Sequence, residues 1–229
     1  MDTTANVVTD RVYTGGQIAS IGFEQQDLVG IKYAFKYLDA ENGLDEISFE
    51  TENDFVIVLK DSTKISAQVK IKALSITLIK SLQKDLDLSQ KNIIIGSYED
   101  EDFRNLRQKK EAVIAMLQGK TFEKDKIMAG WTEHCNRLGL DPNFVLSVDF
   151  DTVDPKGKYD NAIGAIAAWA DKRKMIIDAN GLLKDLEVHV KHCRCNRASL
   201  SEKEIKNIIA EHGTVKYESG IITPSNNLS

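Results

Sequence analysis

An acid and a glutamine–lysine pair in the first third of the chain could act together in catalysis. Asp54 opens an apolar run, and Gln68 and Lys70 alternate with aliphatic residues in the segment 64–72. Because successive side chains of a strand point to opposite faces, Gln68 and Lys70 are predicted to emerge together while the aliphatic residues face a core. The fourteen positions from 54 to 68 suit two strands joined by a tight turn. The three side chains can therefore converge near one point.

These three side chains have a recognisable joint chemistry. A carboxylate binds a hard divalent cation such as Mg²⁺, and an amide oxygen and a strand carbonyl can complete the protein's share of the ligands. A lysine beside the metal can orient or deprotonate an attacking water and offset the charge of a phosphorane. The trio is therefore the minimum set for metal-assisted hydrolysis of a phosphodiester. The same pattern also fits an ordinary half-exposed hairpin with polar outer positions.

The surrounding pattern predicts the elements that must position the trio. Apolar residues recur at helical spacing from Gln17 to Asp39, and Asp61-Ser62-Thr63 suits a hairpin turn. A capping-box signature, Ser201 followed by Glu204, opens the last predicted helix. Strands are predicted at 46–50, 55–60, 64–72, 92–97 and 144–150, and further helices at 74–86, 102–118, 124–138, 161–175 and 202–211. This order predicts an α/β fold with a helical part from about residue 120.

The upstream helix and the trio together resemble a known nuclease family. Asp54 followed by Gln68-x-Lys70 is similar to the PD-(D/E)xK nuclease core in its Gln-x-Lys variant. The upstream segment is similar to the opening helix of one branch of that family; it comprises Gly15-Gly16, Gly22-Phe23-Glu24-Gln25-Gln26-Asp27-Leu28-Val29 and Ile31-Lys32-Tyr33. That branch is the double-stranded DNA endonuclease domain of bacterial anti-phage effectors. It precedes a SAVED sensor in CBASS systems and also occurs in AVAST and Lamassu effectors.

The resemblance, which covers roughly residues 15–95, implies a fold and a set of roles. The fold is a restriction-endonuclease-like central mixed sheet flanked by helices, with a helical C-terminal part. Asp54 would be the primary metal ligand, Gln68 would stand where most relatives carry an acid, and Lys70 would be the catalytic lysine. Gln26 fits the position of a glutamine that reaches the active site, although Gln25 stands where the family often has an aromatic residue. The cofactor would be Mg²⁺ or Mn²⁺, and Gln68 in place of an acid is expected to weaken its binding.

The resemblance also implies an organisation and partners for the chain. It predicts a polar lead-in at 1–14, a nuclease core at 15–120, a mainly helical extension of the same domain at 121–222 and a polar tail at 223–229. The expected substrate is double-stranded DNA, and effectors of this kind act as homo-oligomers. A defence-system sensor or NTPase is the expected regulatory partner. A catalytically silent binding or assembly module is the alternative, and an RNA-directed nuclease shares the same residues.

Composition limits the function classes. The formal net charge of -5 argues against a general nucleic-acid binder but allows one local basic face. Lysines crowd the segment 60–84, and the stretch 189–197 holds two histidines, one lysine and two arginines. Three cysteines are too few for a disulfide framework. Without a signal-like N-terminus or an apolar run of about 20 residues, the chain is predicted to be cytoplasmic and not bound to a membrane.

Two further groups of residues have competing interpretations. His189, His192, Cys193 and Cys195 supply four nitrogen and sulfur donors within seven residues and could bind Zn²⁺. Structural zinc sites usually take ligands from two separated pairs, so a basic, partly buried segment is the favoured interpretation. Trp131 and Trp169 lie in helical runs and are predicted to pack in a core rather than to stack on bases.

Overall fold

A computed structural model describes residues 15–49, 54–119, 123–216 and 222–224. Their main feature is a six-stranded mixed sheet with helices on both faces, which confirms the predicted α/β class. The predicted lead-in at 1–14 lies outside the described residues, as do positions 225–229 of the predicted tail.

The first half of the chain builds the centre of this sheet. Helix α1 spans Gly15–Tyr37, and it is followed by strands β1 (Leu44–Phe49), β2 (Phe55–Leu59) and β3 (Lys64–Val69). The three strands form an antiparallel meander, and the predicted turn joins β2 to β3. Ser62 adopts a positive φ of 65° in that turn, and Asp61 accepts a hydrogen bond from the Thr63 N–H at 2.9 Å. Local hydrogen bonding of this kind sets the register of the hairpin.

Parallel strands extend the sheet beyond β3. Helix α2 (Ile76–Leu82) leads to β4 (Lys91–Gly96), which is parallel to β3. Three helices then lead to β5 (Val148–Thr152), which is parallel to β4; they are α3 (Glu101–Gln118), α4 (Lys124–Arg137) and α5 (Pro142–Ser147). Because β3, β4 and β5 are parallel, their carboxyl ends lie at one edge of the sheet.

The remaining elements complete the other side of the molecule. They are α6 (Lys158–Lys172), β6 (Met175–Ile177), α7 (Ala179–Asn196), β7 (Ser199–Ser201), α8 (Glu202–His212), β8 (Gly213–Lys216) and β9 (Ile222–Pro224). Strand β7 adds to the outer edge of β1, and β6, β8 and β9 form a separate small sheet. The strand order of the main sheet is β5-β4-β3-β2-β1-β7.

The sheet separates two hydrophobic cores. One joins α1, α6, α7 and α8 to one face of the sheet, and the other joins α2, α3, α4 and α5 to the opposite face. Strand β4 shows the division, because Ile93 and Ile95 belong to the first core and Ile94 to the second. Trp169 lies in the first core and Trp131 in the second, each 3% exposed, which confirms the prediction that both are core residues.

Several predicted elements need correction. The strand predicted at 64–72 ends at Val69, and Ile71 is 47% exposed rather than in a core. The helix predicted at 74–86 spans only Ile76–Leu82, because Leu74 forms a bridge beside β4 and donates its N–H to the Tyr98 carbonyl. The first part of the strand predicted at 144–150 is helical, since Asp141 caps α5 just before Pro142. Helix α7 was not predicted, whereas the capping box of Ser201 and Glu204 is confirmed.

Within the described residues, no helix has the length and apolar character needed to span a membrane.

Candidate functional site

The candidate site lies at the sheet edge where β2 begins and β3 ends. The antiparallel register pairs Phe55 with Ala67, and the Asp54 N–H donates to the Ala67 carbonyl at 3.1 Å. This register places the Asp54 side chain beside the end of β3, where its Oδ2 accepts a hydrogen bond from the Val69 N–H at 2.5 Å. A hairpin with its turn at 61–63 thus brings the acid to the end of β3 through backbone pairing.

The lysine and the glutamine of the predicted trio meet this acid. Lys70 Nζ lies 2.8 Å from Gln68 Oε1, to which it donates a hydrogen bond, and 3.8 Å from Asp54 Oδ2. Lys70 follows the last residue of β3, and its N–H donates to the Ile95 carbonyl at 2.8 Å, which keeps the backbone beside β4. The structure therefore brings together the three side chains that the sequence placed on one site, while their roles remain predictions.

Gln26 joins this group from helix α1. Its Nε2 donates to Asp54 Oδ1 at 2.8 Å, across 28 positions of sequence. Both oxygens of the carboxylate consequently have protein donors, with Gln26 on one and Val69 on the other. The contact shows how α1, on one face of the sheet, can fix the orientation of a carboxylate at its edge.

The environment of Asp54 opposes its ionisation. Burial raises the pKa of this carboxyl above its usual range, although the nearby Lys70 ammonium and the Val69 N–H both lower the pKa. Its side chain is 17% exposed, whereas that of Lys70 is 31% exposed. Carboxyl groups with a perturbed pKa, a charged partner and a place at a cleft are typical of functional sites.

The oxygen donors at this edge have the chemistry for a hard cation. Asp54 and Gln68 supply a carboxylate and an amide oxygen, and Mg²⁺ is often held by only one or two carboxylates with water completing its shell. A cation bound to both residues competes with the Lys70 ammonium, which contacts both of them. Glu50 and Glu52, which alternate with Asp54 in the sequence, lie outside the described residues. In the described part of the chain, no three His, Cys, Asp or Glu side chains form a group that could hold a metal.

A cavity of about 300 Å³ adjoins Gln68 and Lys70 on the α2 side of the sheet. Its other wall comes from the segment between α2 and β4 and includes Asp85 and Asp87. Asp87 accepts hydrogen bonds from the backbone and the hydroxyl of Ser89, which lower its pKa. The sequence reasoning missed both acids, since nothing in their spacing connects this segment with the end of β3.

The proposed zinc donors do not form a site. His189, His192, Cys193 and Cys195 all lie on helix α7, but within the described residues no three His, Cys, Asp or Glu side chains are grouped so that they could hold a metal. Cys193 is buried and its thiol contacts the Ser199 carbonyl at 3.6 Å, whereas Cys195 is exposed. The four donors therefore point to different surroundings.

The two basic segments noted in the sequence are partly neutralised. Lys60 pairs with Glu202 at 2.8 Å, and Arg194 forms a buried ion pair with Asp27. The sequence reasoning overlooked a different set of lysines, Lys32 and Lys36 on α1 with Lys172 on α6, which line one cavity. The spacing of four between Lys32 and Lys36 was the available signal, because it places both on one side of a helix.

Comparisons with known proteins address the fold. No protein-family model matches the sequence, and no curated protein matches it significantly. Among solved structures, the chain is similar to a Cap4 SAVED/CARF-domain containing receptor from Moraxella osloensis, with a TM-score of 0.65 and 18% identity over 84% of this chain and 47% of that one. It is also similar to the Acinetobacter baumannii Cap4 receptor with the cyclic trinucleotide 2'3'3'-cAAA, with a TM-score of 0.62 and 15% identity over 83% of this chain and 44% of that one.

The chain thus spans less than half the length of these receptors. At such identities, the similarity establishes a shared fold.

Proposed function

We propose that this chain is a divalent-metal-dependent endonuclease that hydrolyses phosphodiester bonds of double-stranded DNA as an effector of bacterial anti-phage defence. The observation that carries the proposal is the position of the Lys70 ammonium, 2.8 Å from Gln68 Oε1 and 3.8 Å from Asp54 Oδ2, at the edge of a mixed sheet. The similarity in fold to Cap4 receptors, one of which holds a cyclic trinucleotide, supports the defence context.

Each side chain has a distinct part in this function. Asp54 and Gln68 would hold Mg²⁺ or Mn²⁺, which would supply neutralisation of charge on the phosphate. Lys70 hydrogen-bonds the attacking water and offsets negative charge in the transition state, a contribution that typically reaches 10²–10⁴-fold for a positioned proton-transfer group. Gln26 is a positioning residue, because it donates to Asp54 and keeps the other carboxylate oxygen in place.

The glutamine at position 68 determines how strongly the metal binds. An acid at this position would add one negative charge to the site, so its absence weakens the attraction for a divalent cation. Cleavage should therefore require millimolar Mg²⁺ or prefer Mn²⁺, and Gln68→Glu should lower the Mg²⁺ concentration that gives half-maximal cleavage. Cleavage that continues under chelation would contradict the metal requirement.

A plasmid-cleavage assay tests the proposal. The purified chain is incubated with supercoiled DNA and Mg²⁺ or Mn²⁺, alongside Lys70→Ala, Asp54→Ala and the control Lys64→Ala. Lys64 is exposed and begins the same strand, at the end remote from the site. We expect the parent and the control to cut, and both site variants to lose at least about 100-fold in rate. Equal cutting by the Lys70 variant would refute the assigned role.

A second function is favoured by the glutamine at position 68. A nuclease fold with one acid replaced could serve as a catalytically silent binding or assembly module in a defence complex. The same assay separates the two functions: absence of cutting at high protein concentration, and with candidate sensor or NTPase partners, supports the silent module. A parallel RNA substrate identifies the nucleic acid that is cut.

A further inference from the structure

A second, basic cavity lies between helices α1 and α6. It has a volume of about 310 Å³, with three lysines around it (Lys32, Lys36 and Lys172) and two aromatic residues in its lining (Phe35 and Trp169). The Phe35 and Trp169 rings are in edge contact, with centroids 5.6 Å apart. The cavity thus combines an aromatic wall with positive charges, and Lys36 Nζ also lies 4.9 Å from the centroid of the Tyr33 ring.

The charge around this cavity is not balanced. Its acidic lining residue, Asp39, is held by the Arg173 guanidinium, with Arg173 Nε 3.0 Å from Asp39 Oδ2. Lys36 and Lys172 are exposed and, among the described residues, form no ion pair. In a chain of net charge -5, a concentration of lysines around one cavity favours an anionic ligand.

Trp169 lines this cavity, although it is only 3% exposed and its indole nitrogen is inaccessible to solvent. A ligand bound in the cavity would therefore lie beside the ring rather than accept a hydrogen bond from its N–H.

The position of the cavity relates it to the candidate active site. Lys32 Nζ lies 3.4 Å from Asp151 Oδ2 on β5. In the sheet register, Asp151 pairs with Ile95, which pairs with Val69 next to the active-site lysine. Two strand spacings, about 10 Å, separate the backbones at the two ends of this row. The lysines of this cavity, on the α1 side of the sheet, are therefore within reach of a duplex bound at the candidate site.

We propose that Lys32, Lys36 and Lys172 bind backbone phosphates of the duplex that flank the scissile phosphate, beside the Trp169 ring. The inference rests on the proposed endonuclease function and identifies how an acidic protein holds its substrate. These contacts are to phosphates, so they add affinity without sequence preference.

The salt dependence of DNA binding tests this proposal. Binding of a fluorescent duplex is measured in chelator at several salt concentrations for the parent, for Lys36→Ala with Lys172→Ala, and for the control Lys184→Ala with Lys203→Ala. All four lysines are exposed, so none of the substitutions should impair folding. Loss of two phosphate contacts should reduce the slope of log K against log salt by about 2 and weaken binding at low salt. A slope and affinity equal to those of the parent would overturn the proposal.

Tryptophan fluorescence gives a direct readout at the cavity. Addition of the unlabelled duplex should change the emission of the parent, and this change should be absent from Trp169→Phe and diminished in the double lysine variant. Trp131, the other tryptophan, donates to the Pro142 carbonyl in the second core and serves as the unaffected reference. An emission change that survives in Trp169→Phe would contradict the assignment.

The two proposals can fail separately. Normal plasmid cleavage combined with a parental salt slope in the Lys36/Lys172 variant overturns the phosphate contacts and leaves the endonuclease intact. A reduced slope without cleavage by the parent supports the phosphate contacts and refutes catalysis. Neither binding experiment uses the metal or the reaction.

Discussion

The surroundings of Asp54 act on the ionisation of its carboxyl group in opposite directions. It accepts hydrogen bonds from Gln26 and Val69, and it lies 3.8 Å from the Lys70 ammonium. Burial nevertheless raises its pKa, so ionisation of Asp54 is less favourable in the folded protein than in water. A buried carboxylate of this kind lowers the stability of the fold, and the proposed cation would offset that cost if bound. Such conflicts between stability and function are expected at active sites.

Replacement of Asp54 by asparagine should separate the effect of this carboxyl group on stability from its effect on cleavage. Native Asp54 has the raised pKa, so the stability associated with its protonated form is present at low pH and lost as pH rises through that pKa. Asparagine does not ionise, and Asp54→Asn should therefore unfold at an equal or higher temperature than the parent at neutral pH while losing cleavage. The measurement is thermal unfolding in chelator from pH 4 to pH 8, where the advantage of the variant should grow with pH. A lower unfolding temperature for the variant at neutral pH would contradict this account.

Helix α1 is the element on which the site depends most. It presents Gln26 to Asp54, and Glu24 contacts Lys158 and Tyr159 at the start of α6. Its approach to the sheet requires a glycine, because a Cβ at Gly30 would overlap the ring of Phe49 on β1. The position of the Gln26 donor at the candidate site is thus set by the packing of Gly30, one helical turn away.

Gly30→Ala should test the link between this packing and catalysis. The added methyl group forces α1 or Phe49 to move, which should destabilise the protein by about 1–3 kcal/mol and reduce cleavage by displacing Gln26. The matched control is Gly130→Ala on α4, where an added Cβ meets nothing within 4 Å. That control should be stabilised by about 0.5–1 kcal/mol, because alanine favours a helix over glycine. Chemical denaturation and plasmid cleavage measure the two effects, and parental stability in Gly30→Ala would show that the contact relaxes freely.

In the described part of the chain, the candidate site lies at the end of the main sheet where β2 begins and β3 ends. A duplex has two strands of opposite polarity, so one copy of the proposed nuclease site would cut one strand in each binding event. Two copies on the same duplex would supply both cuts together, as in the homo-oligomer that the sequence resemblance implies. The A. baumannii receptor that holds a cyclic trinucleotide is more than twice as long as the part of it that matches this chain.

Mixing active and inactive chains should reveal this joint action of two copies. Addition of Lys70→Ala protein to the parent should convert the linear plasmid product into nicked circles, because mixed assemblies cut one strand. Lys64→Ala protein, added at the same ratio, should leave the linear product unchanged. The products are resolved by gel electrophoresis. A linear product that is proportional to the parent concentration and insensitive to the inactive chain would show that single copies suffice.

Prediction from sequence succeeded where neighbouring residues decide the structure. The hairpin of β2 and β3 follows from alternation and a three-residue turn, and this local pattern was sufficient to place Asp54 near Gln68 and Lys70. The predicted strand 64–72 is longer than β3, which ends at Val69. Alternation continues to Ile71, but this residue lies beyond the last paired residue of the strand and is exposed. Helix α7 was not predicted, although its buried residues Leu182, Leu186 and Val190 recur at helical spacing.

Local sequence pattern by itself therefore determined the α/β class and the proximity of Asp54, Gln68 and Lys70, because turn formation and strand alternation act over a few residues. Only the tertiary structure decided which distant segments meet that trio: the contact of Gln26 with Asp54, the wall that contains Asp85 and Asp87, and the approach of Lys172 to the lysines of α1. These contacts depend on how the two cores pack the helices onto the sheet. That packing sums many weak interactions across the chain, and no short segment encodes it.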